Sequence, residues 1–137
     1  MENGSRHQGG FSRTTTKPWG REVLLSPPGA PYVGKLLFVT SGHRLSLQWH
    51  DEKDESIALI SGAATLLLES DDGQLTELRM EPNTGYRVLP RRVHRLIAHE
   101  DSVLIEASTP ETGATYRVED DYGRSDETAL DRGRSTI

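Results

Sequence analysis

The chain has 137 residues, 34% hydrophobic and 27% charged, which is enough for one domain with its own core and too little for two. A net charge of -5, from 16 basic and 21 acidic residues, argues against a protein built to grip nucleic acid phosphates, and no apolar run approaches the ~20 residues of a bilayer span. Cysteine is absent, which excludes disulfides and thiolate ligands, so any metal must be held by nitrogen and oxygen.

Residues 1–16 are rich in Gly, Ser, Thr, Arg and Gln with almost no apolar periodicity, and they read as a flexible polar arm. They contain no apolar stretch of the signal-peptide kind, so a cytoplasmic location is the expectation. From residue 17 the chain breaks into short runs rich in Val, Leu and Ile. These predict strands at Arg21–Leu25, Tyr32–Thr40, Arg44–Trp49, Ser56–Ile60, Ala63–Glu69, Gln74–Met80, Tyr86–Leu89, His94–Ala98, Val103–Ala107 and Thr115–Val118. Turn chemistry falls between them, at Pro27-Pro28-Gly29, Ser41-Gly42, Ser61-Gly62, Asp71-Asp72-Gly73 and Glu81-Pro82-Asn83. Asp72-Gly73 is the strongest hairpin signal. No helical stripe exceeds two turns, so helix content should be low, and residues 125–137 read as a second polar tail. The expected class is all-β, an antiparallel sandwich or barrel spanning 17–124.

One predicted strand is unusual. In Arg44-Leu45-Ser46-Leu47-Gln48-Trp49-His50, alternation places Ser46, Gln48 and His50 on one face and Leu45, Leu47 and Trp49 on the other. A wholly polar face opposite an apolar one suits a strand lining a wet barrel mouth. Glu55 follows after the polar connection Asp51-Glu52-Lys53-Asp54, which brings a carboxylate to the next strand beside His50. Trp19 and Trp49 read as packing residues, and His7, His43 and His99 as ordinary surface or hydrogen-bonded histidines. Arg91, Arg92 and Arg95 cluster around His94, either as a solvated strand end or as a patch for an anionic small molecule.

The order Gly42, Gln48, His50, Glu55, Gly62 resembles the first motif of the cupin superfamily, with Gln48 where many members have their first His. Leu89-Pro90-Arg91-Arg92-Val93-His94 resembles the second, with departures: Arg92 stands where a Gly is usual, Ala98 replaces a common Asn, and the leading Gly falls near Thr84-Gly85. A narrower likeness, from about Lys17 to Arg124, rests on Lys17-Pro18-Trp19-Gly20, the Gly42–His50 stretch, Val93-His94-Arg95 and Val118–Arg124. These segments resemble the cupin domain of type II mannose-6-phosphate isomerases and its stand-alone bacterial relatives. The resemblance implies a double-stranded β-helix, or jelly-roll barrel, with one divalent metal on Gln48, His50, Glu55 and His94. It also implies Arg44, Arg95 and Arg124 as contacts to anionic substrate oxygens, and Lys35 is added as a base or electrostatic partner.

Two imidazoles, one carboxylate and a neutral amide oxygen suit Zn foremost, with Mn, Fe, Co and Ni open, and leave positions for water or substrate. The leading expectation is an enzyme using the metal as a Lewis acid on a small anionic or polyoxygenated substrate. The reaction would be sugar-phosphate isomerisation, or a recruited cyclisation, epimerisation or dehydration. An Fe(II)-dependent dioxygenase on His50, Glu55 and His94 alone, and a non-catalytic ligand-binding cupin, are the alternatives. A homodimer is expected, because ten short strands leave edges to cover.

Overall fold

The computed structural model describes residues 9–128 and 131. Among them every regular element is a strand: β1 Arg13–Lys17, β2 Gly20–Leu24, β3 Val33–Val39, β4 Leu47–His50, β5 Glu55–Ser61, β6 Ala64–Glu69, β7 Leu75–Arg79, β8 Gly85–Val88, β9 His94–Ala98, β10 Ser102–Ser108 and β11 Thr115–Glu119. No helix among the described residues is long and apolar enough to cross a membrane. The strands form two antiparallel sheets, ordered β1-β2-β3-β10-β5-β8 and β11-β4-β9-β6-β7, which is the jelly-roll arrangement expected of the sequence.

Side-chain alternation divides the interior into two halves. Lys35, Leu37 and Val39 of β3 are buried, as are Glu55, Ile57 and Leu59 of β5 and Ser102, Leu104 and Glu106 of β10. The register pairs Lys35 with Glu106 and Leu37 with Leu104, so the charged positions lie toward one end and the apolar ones stack beyond them. In the facing sheet β9 buries His94, Leu96 and Ala98 in the same order, with Leu96 opposite Leu66 of β6. Leu37, Ile57, Leu59, Leu66, Leu96 and Leu104 form the centre of the apolar half, where each such side chain contributes about 1.5–3 kcal/mol on burial. That half stabilises the sandwich, and the other end is a polar cup.

The Asp72-Gly73 hairpin forms as expected: Gly73 adopts φ 84°, and Ser70 and Gln74 close the loop between β6 and β7. At Gly20, a Cβ would stand 1.9 Å from the Phe38 carbonyl oxygen. The Lys17-Pro18-Trp19-Gly20 turn from β1 therefore requires glycine where β2 opens against the end of β3.

Three expectations need correction. Arg13–Lys17 belongs to no flexible arm, because it pairs along its length with β2 and buries Thr15. An edge strand over a polar cup needs no apolar stripe, and a β-branched threonine run suits it. At the other end, residues 125–128 are not free tail: Glu127 bridges Thr115 by two backbone hydrogen bonds of 2.7 and 2.9 Å. Residues 1–8, 129–130 and 132–137 of the predicted tails lie outside the described residues. Finally, β4 begins at Leu47, with Arg44 making only an isolated bridge to Ile97. Before Leu47 the alternation breaks, and Leu45, expected to pack on the face opposite Ser46, packs on the core and lines the interior beside Ser46 and Gln48.

The second motif contains a strained turn. Arg92 N donates to Leu89 O at 3.2 Å across Pro90-Arg91, and Arg91 takes φ 70°, the geometry of a type II turn that favours Gly at its third position. The left-handed position is thus Arg91, not Arg92 as the motif alignment implied. Arg91 is exposed, so little packing is lost on its removal. Arg91→Gly should raise stability by about 0.5–1 kcal/mol, read as a higher urea midpoint at unchanged slope.

Candidate metal centre

Three strands from two sheets supply the centre. His50 ends β4, Glu55 opens β5 and His94 opens β9, and all three are buried. Glu55 Oε2 lies 3.2 Å from His50 Nε2 and 3.4 Å from His94 Nε2, and the donor atoms of the three residues all fall within 4.8 Å of one another.

The outer nitrogens fix how the rings present themselves. His94 Nδ1 sits 2.9 Å from the Arg92 carbonyl oxygen, which can only accept, so Nδ1 carries the proton and Nε2 offers a lone pair inward. His50 Nδ1 sits 2.8 Å from Thr115 Oγ1, which accepts in the same tautomer. Orientation of metal-binding imidazoles through Nδ1 is the usual arrangement in such sites. Glu55 Oε2, buried between the two rings, has no hydrogen-bond partner. Two imidazole lone pairs and a carboxylate oxygen facing one another need a cation between them, and the donor set is one that a divalent transition metal accepts.

Gln48 completes the polar face less simply. Ser46 Oγ donates to Gln48 Oε1, and Gln48 Nε2 lies 3.5 Å from His50 Nε2. Turned end for end, the amide presents its oxygen beside His50 while Ser46 Oγ accepts from the amide nitrogen.

Behind the triad lies a chain of buried charge. Lys53 Nζ stands 2.6 Å from Glu106 Oε2, 2.8 Å from Glu111 Oε2 and 3.9 Å from Glu55 Oε1. Lys35 Nζ stands 2.9 Å from Glu111 Oε1 and 3.3 Å from Glu22 Oε1. Burial opposes the charge on Lys53, yet Glu106, Glu55 and Glu111 outweigh it and hold the ammonium well above the ordinary lysine range. Lys35 is likewise raised against its burial, by Glu111, Glu106 and Glu22. Burial alone would raise the Glu55 carboxyl, but the Lys53 ammonium holds it well below the usual range. Glu106 goes the other way, because its burial wins over the attraction of Lys53. Burial also lowers the His50 imidazole, which favours the neutral, metal-binding form. Four carboxylates against two ammoniums leave this cluster formally doubly negative, the charge one divalent cation cancels.

An inner cavity of about 30 Å³ touches His50, Glu55, His94 and Glu106, room for one or two water-sized bodies. It shares Gln48, His50, Lys53 and Glu106 with a larger cavity of about 130 Å³ that runs toward β1 and β11. Of the cations expected at the site, Lys35 and Arg124 line the larger cavity and Arg95 the inner one, whereas Arg44 lines neither. Arg44 is exposed and makes a bidentate pair with Asp121 at 2.7 and 2.9 Å. Arg95 is 3% exposed, with Nε donating to Leu45 O at 2.8 Å and Nη1 to Glu119 at 3.2 Å. Arg91 and Arg92 turn away from the centre, Arg92 toward Asp71. Trp49 stacks outside on Tyr116 with centroids 4.2 Å apart, and Trp19 is buried in the core.

Solved structures share this architecture. The capsular polysaccharide assembling protein CapF of Staphylococcus aureus matches with a TM-score of 0.60 at 10% identity, over 86% of this chain and 34% of that one. KdgF from Halomonas sp. matches at 0.58 and 18%, over 75% of this chain and 88% of that one. Oxalate decarboxylase OxdC of Bacillus subtilis matches at 0.66 and 18%, over 77% and 29%. The chain has the cupin fold. It spans about a third of the length of CapF and most of that of KdgF. No protein-family model and no curated protein matches the sequence.

Within this cupin barrel, sequence reasoning missed Lys53, Glu106, Glu111 and Thr115. Lys53 looked like part of a solvated connection, and Glu111 lies outside every strand. A signal for Glu106 was present: in Val103–Ala107 it shares the inward parity of Leu104. Lys53→Met should cost about 3–5 kcal/mol, because it leaves buried carboxylates without their cation; a loss under about 1 kcal/mol in urea unfolding would contradict the buried network.

Lys53 and Lys35 hold the Glu111 carboxyl far below its ordinary 4.5, against the upward push of burial. A depressed carboxyl stabilises the fold above its unfolded pKa and loses that contribution as pH falls toward the folded one. Urea midpoints measured from about pH 6 to 3 should therefore decline below about 4.5, and Glu111→Gln should flatten that acid limb.

Proposed function

We propose that this cupin is a metal-dependent enzyme that binds one divalent ion on His50, Glu55 and His94, with Gln48 as a fourth donor, and acts on a small anionic, oxygen-rich substrate. The observation that carries the reading is the buried, unpartnered Glu55 Oε2 between two imidazoles whose Nδ1 atoms are already engaged. Bound there, the metal supplies Lewis acidity to a carbonyl or hydroxyl oxygen.

The protein's own groups account for the rest. Thr115 and the Arg92 carbonyl orient the two rings. Lys53 holds the Glu55 carboxylate ionised. Glu106 lines both cavities, and its raised carboxyl, 2.6 Å from Lys53, suits it to exchange a proton at Oε2 with substrate. Lys35, held protonated between Glu22 and Glu111, serves as a fixed cation and not as a base. Trp19, Leu37 and Leu45 wall the larger cavity and limit water beside the reacting atoms. Proton transfer next to a carbonyl, as in aldose–ketose isomerisation of a sugar phosphate, is the reaction this arrangement suits, and epimerisation, cyclisation or dehydration uses the same parts. Zinc is the metal we assign.

One observation favours a second reading. With Gln48 Nε2 facing His50, the centre is a two-His, one-carboxylate triad able to hold Fe(II) for oxygen chemistry.

Elemental analysis of protein purified without added metal should find about one divalent ion per chain, lost in His50→Ala and His94→Ala while the barrel stays folded. A fully metal-free wild type that also fails to take up zinc or iron would sink the proposal. Turnover of a sugar phosphate without oxygen consumption supports the isomerase reading, and oxygen uptake with iron supports the second.

A further inference from the structure

We propose that Arg117 and Lys17 form an oxyanion-binding throat above the His50–Glu55–His94 centre, so that the substrate carries a carboxylate or phosphate group at its outward end. The direction in which substrate lies rests on the metal-centre reading; the anion affinity of the throat does not.

Topology places the throat. β1 and β11 are edge strands of different sheets, and the 130 Å³ cavity opens between them into an outer cleft of about 530 Å³. Thr15, Lys17, Arg117, Arg124 and Glu127 line both, so they surround the passage from one to the other. Arg117 is paired in register with Gln48, and its neighbour two residues back, Thr115, with His50. Directly opposed residues of an antiparallel pair leave the sheet on the same face, so Arg117 projects on the side of the metal-facing residues, one strand outward.

Charge pairing then separates Arg117 from Arg124, the other arginine that lines both cavities. Arg44, Arg87, Arg92, Arg95 and Arg124 each have a carboxylate within 4.0 Å, Arg124 through a bidentate pair with Asp120. Among the described residues no carboxylate comes that close to the Arg117 guanidinium. Its Nη1 donates to the Ser125 carbonyl oxygen, its backbone N–H holds Asp126 Oδ1 at 2.8 Å, and its Nε, shielded from solvent, donates to nothing. Burial and the neighbouring Arg124 both press against its charge, and the more distant Glu127, Asp120 and Asp126 offset this only in part. An entering oxyanion relieves both pressures, and a planar guanidinium is well shaped to bind it. Lys17, at the end of β1 on the opposite rim, adds a second cation that makes no ion pair among the described residues. Among the described residues that line both cavities Glu127 is the one carboxylate, beside Lys17, Arg117 and Arg124, while Asp126 and Asp131 line the outer cleft alone.

Calorimetric titration of the full chain with inorganic phosphate and separately with acetate, on metal-free and on zinc-loaded protein, tests the throat. Metal-free wild type should bind at least one of them, more weakly as sodium chloride is raised. Binding should fall roughly tenfold or more in Arg117→Gln and several-fold in Lys17→Gln, with partial recovery in Arg117→Lys. Preference for phosphate assigns a phosphate terminus, and preference for acetate a carboxylate. The proposal is overturned if neither anion binds, if Arg117→Gln binds as tightly as wild type, or if every trace of binding requires zinc. Should circular dichroism show Arg117→Gln unfolded, Lys17→Gln and Arg117→Lys decide by the same criteria. Failure of the metal-centre reading registers separately, as absent zinc uptake in protein that still binds the anion.

Discussion

The polar end of this barrel depends on one buried ammonium. Lys53 lies in the connection between β4 and β5, and its charge is matched by carboxylates from β5, β10 and the segment after β10. Removing an ammonium from water carries a penalty of several kcal/mol, which only close pairing offsets. The pairing therefore constrains three separate stretches of chain to meet at one point, and Glu55, two residues beyond Lys53, is held where both imidazoles can reach it. Lys35 repeats the arrangement one strand over and extends it to Glu22 on β2. The candidate metal centre is thus one end of a charge-ordered interior, set by the same contacts that tie β2, β3, β5, β10 and the segment after β10 together.

Stability and chemistry are divided along the strands. Two residues inward from Lys35, Glu55 and His94, the same strands present Leu37, Ile57 and Leu96. Dispersion and hydrophobic burial there compensate for an end whose groups are costly to desolvate. Because each strand crosses from one regime to the other within two residues, packing in the apolar half sets the spacing of donors in the polar half. The division follows from strand alternation and register and not from any single side chain.

Much of this was legible in the sequence. Short β-branched runs separated by Gly, Pro and Asp turns gave the strands, and the spacing of His50, Glu55 and His94 gave a triad that the structure brings together. What escaped has physical reasons. β1 is a threonine-rich edge strand whose identity comes from its partner β2 and not from any apolar period. Leu45 turns inward because the chain before β4 is irregular, and alternation cannot be extended through a break in the ladder. Lys53 and Glu111 lie outside the strands, where a charged residue ordinarily meets water, and only long-range closure of the barrel buries them. Arg91 sits in a left-handed turn normally filled by glycine, so the local sequence misplaced that position by one residue.

The pairing of β3 with β10, and of β4 with β11, has a bearing on how the protein is made. Lys35 and His50 leave the ribosome well before Glu106 and Thr115 exist, so β3 has β2 and Glu22 beside it early but lacks β10 and Glu111 until late, and β4 lacks β11. A partial chain has no means of dehydrating those charges, and the interior closes only once the closing strands have emerged. The late strands β10 and β11 are thus the keystone of the interior rather than the last course of an already standing wall.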